Sequence, residues 1–162
     1  MDAKVRTEFP RYINTTIENQ IKLADTKAVW IFSVLSVGTG ALVSKTSHIS
    51  WESVNQIRAM TMIALSLILI ILSFKHIIRV IYPRISKGKS TGIIYFGDIL
   101  SQSKESYVKK GLSIKEEEII KQLYEQAHTL SGIINKKFRS LKIALIFTIL
   151  SIISISLSII II

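Results

Sequence analysis

Apolar residues in this chain are gathered into three uncharged stretches, Ala28–Val43, Ala59–Phe74 and Ile143–Ile162, with polar sequence around them. The last, IALIFTILSIISISLSIIII, has twenty residues. As a helix it covers the roughly 30 Å hydrocarbon core of a bilayer. It shows no polar face that a helix in water would need. The first two stretches have sixteen residues each. Flanking residues lengthen them: Ala24 and Lys27 before the first, and Lys75 to Tyr82 after the second, with the cations reaching outward on their alkyl stems. The pattern predicts an all-α integral membrane protein. It has three transmembrane helices and a small helical cytoplasmic bundle continuous with them. The expected segments are an N-terminal helix (1–27), a first span (28–44), a short external loop (45–58), a second span (59–81), a long helical segment (82–142) and a third span (143–162).

Outside the spans the period is also helical. Ile13, Ile17, Ile21, Ala24 and Ala28 recur at intervals of three and four and predict a helix that runs into the first span. Asn14 is placed to cap it, and Pro10 marks an extended stretch before it. Ser113 and Glu116 have the S-x-x-E spacing of a capping box just after Gly111. From there Ile119, Ile120, Leu123, Ala127, Leu130, Ile134, Phe138 and Leu141 keep one stripe into the last span. This predicts a nearly continuous helix from Ile114 to about Ile160. Pro83–Gly92 reads as a loop, and Ile93–Lys110 as a further helix burying Phe96, Ile99, Leu100 and Tyr107.

Charge sets the expected orientation. Residues 1–27 carry Lys4, Arg6, Arg11, Lys22 and Lys27, the loop 44–58 carries only Lys45 and Arg58, and the segment 75–142 carries the other fourteen of the 21 cations. Positive charge stays with the cytoplasm, so the N-terminus and the long segment are expected inside and the loop bearing Trp51 outside. Most of the formal charge of +10 then faces anionic lipid or an anionic ligand. The 27 mostly polar residues before the first span do not form a cleavable signal. There is no cysteine, which excludes disulfides, thiolate metal sites and cysteine nucleophiles. His48, His76 and His128 have no partner spacing, and no phosphate loop, G-x-S-x-G or zinc pattern occurs. The expectation is a protein that is not an enzyme, holds no metal and needs no cofactor.

Three separated motifs carry a resemblance. Ala24-Asp25-Thr26-Lys27-Ala28 leads into the first span. Tyr95-Phe96-Gly97-Asp98-Ile99 follows the proline loop, with Tyr107 beyond it. Asn135-Lys136-Lys137-Phe138, with Leu141, leads into the last span. In this order, relative to three spans, the chain resembles the transmembrane effectors of the Pycsar anti-phage defence systems, from about residue 14 to 150. The resemblance implies a bacterial inner-membrane protein that answers a cyclic mononucleotide, cUMP or cCMP, made by a companion cyclase on infection. It implies that the effector then damages the inner membrane and ends the infection with the host cell.

On that reading particular side chains take roles. Lys136, Lys137 and Arg139 offer donors to a cyclic phosphate, and Tyr95 and Tyr107 offer rings to a pyrimidine. Arg84 and Lys87 in the loop are further phosphate ligands or lipid contacts. Asp25 and Lys27 form a latch, Asp25 pairing with Lys136, Lys137 or Arg139, because an acid beside the hydrocarbon is costly unpaired. Ser36 and Gly40 allow close helix approach, and Ser151, Ser154 and Ser158 share one side of the last span. These small residues serve packing within one chain or self-association, since three spans are too few to enclose a pore. The partners expected are the bilayer, the nucleotide and further copies of the chain, not nucleic acid, whose binding the positive-inside placement of charge does not call for. Two other functions fit the topology: a membrane anchor that recruits a soluble protein, and a holin-like toxin that needs no ligand.

Overall fold

The computed structural model describes residues 3–46, 54–82 and 92–161. Among these the fold is all-α. The helices are α1 (Ala3–Thr46), α2 (Val54–Ile81), α3 (Phe96–Leu100), α4 (Lys104–Ser113) and α5 (Glu116–Ile161). They form two compact units, one of Met1–Lys22 with Pro83–Asn135, the other of Leu23–Tyr82 with Lys136–Ile162. We call them the polar unit and the membrane unit. α1 and α5 each contribute to both.

In the membrane unit the buried positions follow a seven-residue repeat. On α2 they are Ala59, Ile63, Ser66, Ile70, Ser73, Ile77 and Val80, alternating steps of four and three. On α5 they include Lys137, Leu141, Ala144, Thr148, Ser151 and Ser158, and on α1 Ala24, Ala28, Leu35 and Leu42. A repeat of 3.5 residues per turn keeps one seam on its neighbours when helices wind around each other with a left hand. Side-chain contacts give the directions. Asp25 meets Lys137, and Gly38 stands beside Ile155, so α1 and α5 run parallel. Ser73 bonds to Ala144 and Thr148 while Ser154 bonds to Met62, so α2 runs antiparallel to α5. Phe32 and Phe74 meet edge to face between α1 and α2, with ring centres 5.3 Å apart.

This unit is built inside out for water. Among the described residues it buries seven hydroxyl side chains, Ser66, Ser73, Ser140, Thr148, Ser151, Ser154 and Ser158, while Trp30, Val37, Ile68, Ile71, Ile78, Ile149 and Ile153 face outward. No more than 33% of the most apolar window of any long helix is buried. Such an exterior is stable only against lipid. Three helices are long and apolar enough to cross a membrane, within Arg6–Ser44, Ile57–Ile81 and Glu116–Ser158.

The polar unit has little apolar core. Among the described residues, Leu123 and Ala127 are its buried apolar side chains besides Pro10, and α4 buries none. Hydrogen bonds to backbone groups hold it instead. Asn14 Nδ2 donates to the Leu123 carbonyl at 3.0 Å, and the Ile93 N–H donates to Gln122 Oε1 at 3.0 Å. Gln102 Nε2 donates to the carbonyls of Gly92 and Asp98 at 2.7 and 2.9 Å.

Three local expectations are corrected here. α1 begins by Ala3 and continues through Pro10 and Asn14, so Asn14 is not a cap. Both lie on the α1 seam, where burial against a neighbour outweighs the local preference for a helix start. Ser113 ends α4, bonding back to Lys109 and Lys110, and Gly111 lies inside that helix. α5 starts instead at Glu116, with Glu117 and Glu118 favourably set against the helix dipole. The helix expected over Ile93–Lys110 is two, broken where Ser103 accepts from the Ser106 N–H and caps α4. Leu100 is 80% exposed rather than buried, and the side chain of Phe96 lies outside the description.

The seam makes one comparison decisive. Ile77→Ala leaves a cavity against two helices and should cost about 2 kcal/mol or more in reversible unfolding by SDS titration. Ile78→Ala, on the lipid-facing side, should leave the midpoint nearly unchanged.

Candidate functional site

Position 137 of α5 belongs to the buried seam, and the chain places a lysine there. Its side chain is only 6% exposed, and Nζ donates to Asp25 Oδ1 of α1, whose side chain is 39% exposed. Removing an ammonium from water costs several kcal/mol, about as much as its pairing with a close carboxylate returns. The pair therefore adds little net stability, while separating it leaves Lys137 enclosed without a counter-charge. Asp25 follows the fully buried Ala24, so the seam fixes where its carboxylate starts. Exposed cations surround this level of the unit: Lys27 on α1, Lys75 and Arg79 on α2, and Lys136, Arg139 and Lys142 on α5.

Below this level the seam is held by hydroxyls. Ser73 Oγ donates to the Ala144 carbonyl at 3.0 Å and lies 2.9 Å from Thr148 Oγ1. Ser154 Oγ donates to the Met62 carbonyl at 2.9 Å. Ser151 and Ser158 turn to carbonyls of their own helix. All three serines named on the last span thus face α2 or the interior of the same chain, not an open side. Ser36 is exposed and bonded to the Phe32 carbonyl, and Gly40 opens onto free space.

In the polar unit, Tyr95 and Tyr107 are both half-buried, and Tyr107 reaches the turn Gly92–Ile94. The Tyr107 hydroxyl donates to the Ile93 carbonyl at 3.4 Å. The Tyr95 ring lies over Gly97, where a Cβ would come within 2.6 Å of its Cε1, so any larger residue at 97 would displace the ring.

The profile of the Pycsar effector protein domain matches residues 11–162. The chain belongs to the Pycsar effector family. Pycsar effector protein SaPycTM of Staphylococcus aureus is 26% identical over 133 residues, 82% of this chain and 81% of that protein. No solved structure matches. Membership makes the chain an effector of anti-phage defence, and its three long apolar helices make it a membrane one.

The residues singled out in the sequence of this Pycsar effector fall into separate places. Asp25 and Lys137 are brought together, whereas Lys27, Lys136 and Arg139 point outward. Tyr95 and Tyr107 lie in the polar unit, while Lys136, Lys137 and Arg139 belong to the membrane unit. Arg84 and Lys87 lie outside the described residues. Sequence reasoning missed the polar residues that bind elements together, Ser73, Gln102, Gln122 and Thr148, and gave Asn14 a capping role instead of its bond to Leu123. For those on the seam the signal was present. Continuing the 4–3 steps of α5 from Leu123 passes through Lys137, Thr148 and Ser151, residues that read as interruptions when only apolar positions are counted.

The pair can be tested by a cycle. Asp25→Ala leaves Lys137 stranded and should destabilise the protein by about 1–3 kcal/mol, below the value for fully buried pairs because Asp25 is partly exposed. Lys137→Met should be close to neutral. The double variant should recover most of the Asp25→Ala loss, read from SDS-titration midpoints of the three proteins.

Proposed function

We propose that this Pycsar effector senses a cyclic mononucleotide, cUMP or cCMP, through its polar unit and breaks the permeability barrier of the bacterial inner membrane, ending infection with the cell. A companion cyclase supplies the signal. The N-terminus, the polar unit and the belt of exposed cations face the cytoplasm, where anionic headgroups match their charge. Tyr95 and Tyr107 of the polar unit are the rings available to a pyrimidine. The protein works as a membrane effector without catalysis or cofactor.

The observation that carries this reading is the unbroken course of α5 from Glu116 to Ile161. One helix holds Gln122, which accepts from the Ile93 N–H, and also Lys137 and the serine seam. A ligand that changes how the start of α5 is held acts on a rod that also forms a span. In the resting state Lys137 and Asp25 latch α1 to α5. Three spans per chain do not enclose a water-filled path, so leakage requires several copies to assemble, with the latch released.

The test is dye release from liposomes containing the purified full chain, titrated with cUMP, cCMP, cAMP and cGMP. Release with one pyrimidine nucleotide is the expected result. Release without any nucleotide would favour a holin-like toxin. An inserted protein that releases nothing under any condition would instead be an anchor for a soluble partner.

A further inference from the structure

Asp98, on the short helix α3, carries an oxygen that the polar unit leaves unmatched. Its Oδ1 is enclosed and has no hydrogen-bond partner among the described residues. Its other oxygen sits directly on Gly92, where a Cβ would come within 2.3 Å of Oδ2, so any side chain at position 92 would push the carboxylate out. Around it lies a knot of satisfied groups. Gln102 spans the carbonyls of Gly92 and Asp98, the Tyr107 hydroxyl meets the Ile93 carbonyl, and the Ile93 N–H meets Gln122. A buried acceptor without a donor destabilises a fold, and its retention in a knot this well matched asks for a reason.

A carboxylate accepts hydrogen bonds and donates none. It repels a phosphate, so whatever it meets is the uncharged part of a ligand and presents an N–H or O–H. Pyrimidine bases present one on the edge that distinguishes them, the ring N3–H of uracil or the exocyclic amino group of cytosine. The Tyr95 ring, laid across Gly97, supplies an aromatic face at the residue that precedes Asp98. We propose that the Gly92–Gln102 knot is the base-reading site of this effector, with Asp98 Oδ1 accepting the base N–H. The inference rests on the cyclic-nucleotide reading above and names the part of the signal that is recognised.

The enclosure of Oδ1 gives binding a consequence. The base reaches it only if the turn opens, which disturbs the bonds from Gln102 and Gln122. Gln122 is on α5. The ligand thereby binds the opened knot better than the closed one, which is what a shift between two states demands.

Isothermal titration of the full chain in lipid nanodiscs tests this, using cUMP, cCMP and their N3-methyl and N4,N4-dimethyl forms, which lack the donor. Asp98→Ala should weaken the nucleotide that binds by about tenfold or more, the loss expected for a hydrogen bond to a charged group. Asp98→Asn, which keeps the shape and one acceptor, should weaken it less. The methylated nucleotide should bind the unaltered chain and Asp98→Ala equally. Neither variant should lower the thermal midpoint, because no bond of the closed knot is lost, and removal of the unmatched charge should hold or raise it. Binding to Asp98→Ala as tight as to the unaltered chain would overturn the assignment, as would a lower midpoint in Asp98→Asn. If the unaltered chain binds no cyclic nucleotide, the sensing reading itself falls, and this inference with it; that result differs from binding that ignores Asp98.

Discussion

An ammonium enclosed between apolar helices is tolerated only beside its counter-charge, and this constraint organises the membrane unit. Lys137 occupies a seam position of α5, so its partner has to come from a neighbouring helix at the same height. Asp25 of α1 supplies it. α1 and α5 are thereby parallel and fixed in register, and α2, joined to α5 by Ser73 and Ser154, runs the other way between their levels. Much of the layout follows from where one charge can be neutralised.

What surrounds that pair is weakly cohesive. In lipid there is no hydrophobic force drawing one apolar helix to another, so close fit and interhelical hydrogen bonds do the holding. Each such bond contributes about 0.6 kcal/mol on average in a helical membrane protein. The interhelical bonds of Ser73, with Ala144 and Thr148, and of Ser154, with Met62, are a modest hold for spans of this length. The polar unit is similarly lean, with amide side chains bonded to backbone groups in place of a broad apolar core. A protein held in this way costs less to rearrange than one with a broad apolar core.

The all-α fold and three spans were legible because lipid imposes long uncharged stretches and helical backbone, a constraint read directly from composition. The Asp25 pairing was legible down to a choice of three neighbouring cations, since cost rather than pattern announced it. Helix ends were read less well. Asn14 and Ser113 have good capping chemistry, yet Asn14 is buried against Leu123 and Ser113 closes α4 rather than opening α5. The knot of Gly92, Asp98, Gln102 and Gln122 could not be read at all. Its contacts join residues up to 29 positions apart through single hydrogen bonds, and no periodicity records such pairings.

A seven-residue repeat of alanine, serine and isoleucine has a hazard of its own. Sliding α5 along α1 by one repeat, about 10 Å of rise, would set similar residues against similar residues, and nothing in the apolar surface would resist it. Two points break the degeneracy. Asn14 finds its carbonyl at Leu123, and Lys137 finds its carboxylate at Asp25, and neither match survives a slip by seven. The polar residues of the seam thus act as an alignment key: they let a chain with many nearly equivalent ways to pack its long helices assemble in one.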